Sequence, residues 1–583
     1  MLARRFLGVA VWREARVTLL GHTCHTAGAC DLNPYLPPTL MRTLAFLGFA
    51  TSLVAQALPP QPVPPQNPIT PQKTILGKLL FWEEQMSTNN RVACGTCHTF
   101  GNGGGDLRRT VHPGNDGVTP SADDSFGSPG LIRSDTGNLY LPDARFGLAR
   151  QVTKRASPSF LTAAWFPELF WDGRARGNFV DPVTNATLIP VGGALENQAL
   201  APLLAADEMA HDARTFANVT QKLLSAKPMA LATNLPVDMA AAIAGGVTYP
   251  QLFQAAFGSP EITATRIAYA LATYQRTLVP NQTPYDLFIA GNNAALTPQQ
   301  VNGLNTFIGA ARCNLCHTPG LFSDRQFRNL GLQPIAFDNG RQSVTGLVQD
   351  GGKFKVPSLR NVGLRTSFMH NGQFTTLAQV FTFYLNGGGP NLQNKDPLLQ
   401  PLGGPPPNGV PPQNANDLIN FLQNGLTDPR LAAGVAPFTR PTLRSQLLPE
   451  GGALYGAGSA GTGARIPLMM AEVPANLGNV DFKLGVSNAR GGAAATFVLA
   501  LAPAATMLGG VNVNVGFGGS HVLVPTVLSG NAGVAGAGYG TIKVPMPTEP
   551  GLAGLTLYGQ WFVYDAGVPA GLATSRGGEI RMF

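Results

Sequence analysis

Charge is scarce in this chain of 583 residues: Asp, Glu, Lys and Arg together make up 12%. The formal net charge is +8, yet no dense run of Lys or Arg occurs, which argues against a nucleic-acid partner. Long apolar runs are missing too. The run from Leu44 to Val54 is too short for a membrane-spanning helix, which needs about 20 apolar residues, so no transmembrane segment is expected. Cysteine is rare, with six in all. Gly and Pro are the opposite: 69 and 49 residues, about a fifth of the chain, against an average of about 12%. At this length one core does not suffice, and two to four domains are expected.

The short apolar run has a meaning of its own. Residues 41–57, "MRTLAFLGFATSLVAQA", hold one Arg, the apolar stretch and an Ala55-Gln56-Ala57 end. That is the form of a secretory signal with an A-x-A cleavage site. Met41 then reads as the start and residues 1–40 as an over-extended N-terminus, so "HTCHTAGAC" is not read as a metal site. Cleavage near Ala57 would deliver a periplasmic, secreted or cell-surface protein. Residues 1–57 carry five Arg and two acids, which leaves +5 on the remainder.

Four of the six Cys fall in two identical patterns, "CGTCH" at 94–98 and "CNLCH" at 313–317. C-x-x-C-H is the attachment pattern of c-type haem. Cys94 and Cys97, and likewise Cys313 and Cys316, would each hold one haem covalently, with His98 and His317 facing the two irons. A four-cysteine zinc site suits C-x-x-C spacing. However, the pairs lie more than 200 residues apart and each is followed at once by His. Two-residue disulfide loops would be strained and reducible. Two covalent haems are therefore expected, and four propionates would roughly cancel the remaining positive charge.

Residues 58–72 read as a Pro-rich extended linker. "GKLLF" at 77–81 precedes the first motif and "GLNTF" at 303–307 precedes the second. This echo predicts two cytochrome c-like units, over 73–295 and 296–440. "ITATRIAYALATYQRTLV" at 262–279 has helical apolar spacing, and "NDLINFLQNGL" at 416–426 reads as a closing helix. Residues 441–465 form a Gly-rich linker. Over 466–583, short β-rich runs such as "ATFVLAL", "GVNVNVGF" and "LTLYGQWFVYD" are punctuated by Gly and Pro, which predicts an all-β, sandwich-like domain. The expected fold class is thus mainly α, two haem units followed by a β domain.

Several stretches carry a family resemblance. They are "LGKLLFWEEQMSTNNRVACGTCHTF", "RASPSFLTAAWFPELFWDGRA", "ENQALAPLLAADEM", "ALATYQRTLVPNQTPYDLFIAG", "CNLCHTPGLFSDRQFRNLGL" and "FKVPSLRNVGLRTSFMHNGQFTTLAQVFTFY". Over roughly residues 72–435 the chain resembles the bacterial di-haem cytochrome c peroxidases, and more closely their MauG-like branch. The resemblance does not reach the β region. It implies hydrogen peroxide as substrate, reaction at the first haem, and storage or relay of oxidising equivalents at the second. It places Gln198, Pro202 and Glu208 on the open side of the first haem and Trp171 between the haems. A buried core aromatic is the plainer reading of Trp171, and the two are compatible. Arg174 is a candidate propionate partner, with a structural ion pair as the alternative.

Three side chains in "FMHNGQFTTLAQVFTFY" can bind iron: Met369, His370 and Tyr384. Periodicity alone puts Tyr384 on the apolar face of a helix from Thr376, where a core tyrosine is the simplest reading. The resemblance implies a ligand fourteen positions after His370, Met in the peroxidases and Tyr in MauG, and here that position is Tyr384. The family also binds calcium between its haem units, through an Asn side chain and two backbone carbonyls. Here Ala156 stands at the Asn position, and Arg365 and Ser367 at the other two, so the calcium is not expected. The insertion over residues 101–150 brings acids near 112–124 and His112, a candidate resting ligand of the first haem. Two other readings stay open: oxidation of an aromatic residue in a partner protein, as MauG performs, and a non-enzymatic two-haem electron carrier. The electron donor is not legible.

Overall fold

The computed structural model describes residues 56–403, 409–447 and 452–583. The N-terminal extension and the signal peptide lie outside the described residues, apart from Gln56 and Ala57.

The haem-motif echo has a packing cause. The helix Pro71–Phe81 starts at Thr70, whose side chain accepts from the Lys73 amide, with Pro in its first turn. It buries Leu76, Leu79, Leu80 and Phe81 against the helix Ala264–Thr277. The crossing is so close that a Cβ on Gly77 would lie 1.9 Å from the Ala270 carbonyl oxygen. In the second half, Thr297 caps the helix Pro298–Ile308, which crosses the helix Pro412–Asn420. There a Cβ on Gly303 would lie 2.1 Å from the Asp417 carbonyl oxygen. The Gly and the Phe of "GKLLF" and "GLNTF" thus do the same work twice. Gly lets a second helix approach, and Phe81 and Phe307 fill the core beneath. Phe307 packs with Tyr285, Phe322 and Phe421 in an edge-to-face aromatic cluster. The predicted closing helix begins earlier, at Pro412, and ends in a π-turn over Phe421–Gly425.

The expected mainly-α character is not met: helix accounts for 27% and strand for 19%. The physical reason lies in the connections. The insertion after the first haem motif folds into two antiparallel ribbons, Thr110–His112 with Ser125–Gly127 and Pro129–Ile132 with Arg150–Val152. A third pairs Phe179–Val180 with Thr187–Ile189. Many other turns are isolated 3-10 segments.

The C-terminal region is β-rich. An antiparallel sheet runs in the order His521–Val527, Ala494–Ala500, Thr556–Tyr564, Gly577–Arg581, Ala453–Tyr455, with Leu572–Thr574 also paired to Thr556–Tyr564. A second sheet joins Leu468–Met470, Lys483–Ala489 and Gly538–Lys543. Phe497, Trp561 and Val563 of the first meet Leu484, Val486 and Ile542 of the second in one core. Pro503–Leu508 and Val511–Val515 form a hairpin.

Two stretches read as linkers are held in place. In the Pro-rich stretch, Asn67 donates to buried Glu196 at 2.8 Å and the Trp165 indole donates to the Pro59 carbonyl at 2.9 Å. In the Gly-rich stretch, Ala453–Tyr455 is a sheet edge, and the amides of Arg444 and Ser445 just before it donate to the Glu84 carboxylate.

Candidate functional site

Each C-x-x-C-H loop presents its histidine in the same state. His98 Nδ1 lies 3.0 Å from the Gly104 carbonyl oxygen and 3.2 Å from Ser157 Oγ. His317 Nδ1 lies 3.0 Å from the Phe322 carbonyl oxygen. A carbonyl only accepts, so each Nδ1 carries the proton, and each Nε2 lone pair remains for a metal. Burial lowers both imidazole pKa values, which favours the neutral ligand form. The four Cys are unbridged. Burial pushes the thiols of Cys94, Cys97 and Cys313 up to about 12 and that of Cys316 up to about 11. Gly95 lies flat on the Trp82 ring, where a Cβ would come within 2.2 Å, so the first loop has one seat.

Gln198 sits in the helix Ala194–Leu200, Pro202 in the 3-10 turn Ala201–Leu204, and Glu208 in the turn that follows. All three are half-buried. Neither the Gln198 amide nor the Glu208 carboxylate hydrogen-bonds to any described residue. Burial foremost, then the charge of Asp207, raises the Glu208 pKa to about 7, against a smaller opposing pull from Arg174. The Glu208 charge in turn raises the thiol pKa values of both Cys94 and Cys97, so its carboxylate acts electrostatically on the first haem loop.

The ribbon Pro129–Ile132/Arg150–Val152 clamps this turn. A Cβ on Gly130 would lie 2.0 Å from the Asp207 carbonyl oxygen, and Gln151 Nε2 donates to the Ala206 carbonyl at 3.0 Å. The β region grips the loop of the same ribbon. Lys483 Nζ donates to Ser134 Oγ and to both oxygens of Asn138 at 2.7–2.9 Å, and the Tyr140 ring lies against Gly485.

The second loop opens on a cavity lined by Cys313, Cys316, His317, Met369, His370, Tyr384 and Trp171. Leu377, Val380, Phe381 and Tyr384 line it as one stripe of the helix Leu377–Leu385, which Thr376 caps. Burial raises the Tyr384 pKa, and the neighbouring Cys313 and Cys316 add to the rise. His370 is stacked on Phe354, ring centroids 3.5 Å apart and 13° from parallel. Burial lowers its pKa to about 3, and its Nε2 has no hydrogen-bond partner. All three iron-binding candidates thus share one cavity.

Trp171 lines the cavity of the second loop. Its indole N–H donates to the Ala156 carbonyl at 2.8 Å, and its own carbonyl accepts from the Lys355 amide at 2.7 Å. Its ring meets His370 edge-on at 6.4 Å. The next residue, Asp172, accepts from Arg155, which also grips Asp338. Arg174 pairs with Asp172 and stacks over Phe170 at 3.6 Å.

The sequence profile described as "Di-haem cytochrome c peroxidase" matches residues 71–294. Methylamine utilization protein MauG of Methylorubrum extorquens is 31% identical over 333 residues, covering 56% of this chain and 72% of the relative. The chain belongs to the di-haem cytochrome c peroxidase and MauG family. A cytochrome-c peroxidase of Pseudomonas sp. is 28% identical, over 65% of this chain and 88% of that one. The crystal structure of a MauG-like protein associated with microbial copper homeostasis aligns with 25% identity and a TM-score of 0.46, covering 66% of this chain and 97% of the other. Members of this di-haem family carry two c-type haems, and both loops here fit one: paired unbridged thiols beside a buried imidazole whose Nδ1 faces a carbonyl.

An inter-haem calcium does not fit this di-haem peroxidase. Ala156 offers no side-chain oxygen, and the Ser367 carbonyl is taken by Arg365 Nε at 3.2 Å. The acids of the insertion are committed as well: Asp123 and Asp124 accept from Ser121, Thr119 and nearby amides. Among the described residues no cluster of three or more His, Cys, Asp or Glu could hold a metal ion. His112 is buried in its ribbon against Phe146, and its Nδ1 has no hydrogen-bond partner among the described residues. Sequence reasoning missed Arg155, Asp338, Lys355 and Phe354, whose partners are distant in the chain, and the positions of Lys483 and Gly130 carried no signal.

Proposed function

We propose that this chain is an exported enzyme that reduces hydrogen peroxide at the haem carried by Cys94, Cys97 and His98, while the haem on Cys313, Cys316 and His317 relays or stores oxidising equivalents. The division into haem units over 73–295 and 296–440 and a β domain over 466–583 belongs to the same reading. Glu208 supports it most. It is a carboxylate without a hydrogen-bond partner among the described residues, poised near neutrality, and it acts electrostatically on the first haem loop.

A bound c-type haem supplies an iron that exchanges electrons with peroxide. The residues do the rest. With haem and peroxide in place, ionised Glu208 would accept a proton from peroxide and could deliver it to the leaving oxygen, which favours departure as water rather than hydroxide. The Gln198 amide, also unpartnered, donates a hydrogen bond that orients the peroxide. Pro202 has no N–H and narrows the entry without competing for it. Each peroxide consumes two protons and two electrons and yields two waters; the electrons come from a redox partner. Trp171, fixed at indole, carbonyl and neighbouring side chain, stands on the path between the haems. Tyr384 is the proposed second ligand of the haem on His317, with Met369 and His370 as non-ligands. Tyrosinate is a hard anionic donor that stabilises oxidised iron.

That ligand favours a second reading, oxidation of an aromatic residue in a partner protein. A two-haem electron carrier is the non-enzymatic alternative. Electron paramagnetic resonance of the ferric protein, before and after one equivalent of peroxide, tests the proposal. One high-spin haem that reacts with peroxide is the expected result. Two six-coordinate low-spin haems, both inert to peroxide, would leave only the carrier.

No helix among the described residues is long and apolar enough to cross a membrane. Periplasmic or cell-surface placement rests on the signal over residues 41–57.

A further inference from the structure

Arg365 is a half-buried guanidinium with no carboxylate partner among the described residues. Its Nη2 donates to the Ser157 carbonyl at 2.9 Å and its Nε to the Ser367 carbonyl at 3.2 Å. Its Nη1 is enclosed and unpartnered. The chain makes room for it: a Cβ on Gly105 would lie 2.6 Å from Nη1, and one on Gly103 would lie 3.3 Å from Cγ.

The two carbonyls belong to segments tied to different haem loops. Ser157 Oγ also lies 3.2 Å from protonated His98 Nδ1, whose N–H it can accept, and its own hydroxyl donates to the Cys97 carbonyl, on the first haem loop's side. Ser367 leads into the turn that carries His370, which lines the second cavity as Arg365 itself does. The adjacent Ala156 amide donates to the His370 carbonyl at 2.8 Å, and the Ala156 carbonyl accepts from Trp171. Arg365 therefore closes a ring of contacts through Ser157, Ala156, His370 and Ser367, to which Trp171 is bonded at Ala156.

Leaving a guanidinium without a counter-charge in a half-buried place costs free energy, and a divalent ion beside it would be repelled. We propose that Arg365 is a built-in cation that replaces a metal ion between the haems. It ties the His98 side to the His370 turn, holds both haem potentials up through its positive charge, and makes haem coupling independent of calcium. Arg365 is a positioning residue here. The inference rests on the haem assignments of His98 and His317 and not on peroxide as substrate.

The test uses the full holoprotein without peroxide. Elemental analysis of the protein as purified should find calcium well below one per chain, and neither a chelator nor excess calcium should change the paramagnetic resonance of either haem. In Arg365→Met both haem midpoint potentials should fall and both resonance spectra should shift, because a positive charge that favours the reduced irons is gone. Arg365→Lys, which keeps the charge, should stay near the parent potentials. One calcium per chain whose removal alters the spectra of the parent protein would overturn the proposal, whether or not the variants fold. Unchanged potentials in Arg365→Met, or a fall in Arg365→Lys as large as in Arg365→Met, would overturn it as well.

Discussion

Replacing Glu208 by Gln keeps the shape of the side chain and removes its proton chemistry. The ordinary glutamate value of 4.5 is raised to about 7 here, chiefly by burial and then by Asp207. The sign follows from the role. To take a proton from peroxide the group must be ionised, and a raised pKa means that ionisation is lost as pH falls through about 7. Half the molecules are active at pH 7, about one-tenth at pH 6 and about one-hundredth at pH 5, if this group alone governs the step. An unshifted glutamate would still be almost fully ionised at pH 6. The second-order rate of the reaction with peroxide, followed by stopped-flow haem absorbance between pH 5 and 9, should therefore drop about tenfold per pH unit on the acid side. In Glu208→Gln the rate at pH 8 should be lower by about 10²-fold or more, the usual scale of positioned acid–base catalysis, and the acid limb should vanish. Resting spectra of both haems should be unchanged. A variant with parental rates, or one that keeps the acid limb, would remove Glu208 from the mechanism.

Haem load comes next. Intact mass should show two covalent haems per chain, and Cys313→Ser together with Cys316→Ser should leave one; a parent carrying a single haem would refute the assignment. Tyr384→Phe should convert the second haem to a five-coordinate or water-ligated form, seen by resonance and optical spectra. A parental spectrum in that variant would hand the ligand role to His370 or Met369. Lys483→Met should lower stability to urea by about 1–3 kcal/mol, the cost of leaving Ser134 and Asn138 without their buried donor. It should also slow the peroxide reaction, because the ribbon that Lys483 holds clamps the Glu208 turn. Parental rate together with parental stability would separate the β region from the site.

The sequence by itself determined the haem chemistry, because attachment is local. Cys94 to His98 and Cys313 to His317 need only adjacent residues, and a short loop of chain suffices to set each imidazole against a carbonyl. The echo of "GKLLF" in "GLNTF" was legible for a similar reason: one close helix crossing demands Gly and Phe at fixed positions. The strands after residue 466 were legible through their β-rich runs. The proportion of strand was not, because ribbons such as Pro129–Ile132 with Arg150–Val152 are short and lie in a Gly-rich insertion without periodicity. Only the tertiary structure decided that the Pro-rich and Gly-rich stretches are held, since Asn67 and the amides of Arg444 and Ser445 meet their carboxylates across long sequence distances. It alone shifted Glu208 toward neutrality, because that shift is a property of burial and of Asp207 rather than of glutamate. It alone set Arg365 where the sequence showed merely a missing asparagine: a guanidinium becomes an internal cation only when folding brings the Ser157 and Ser367 carbonyls to it and leaves it, among the described residues, without a carboxylate partner.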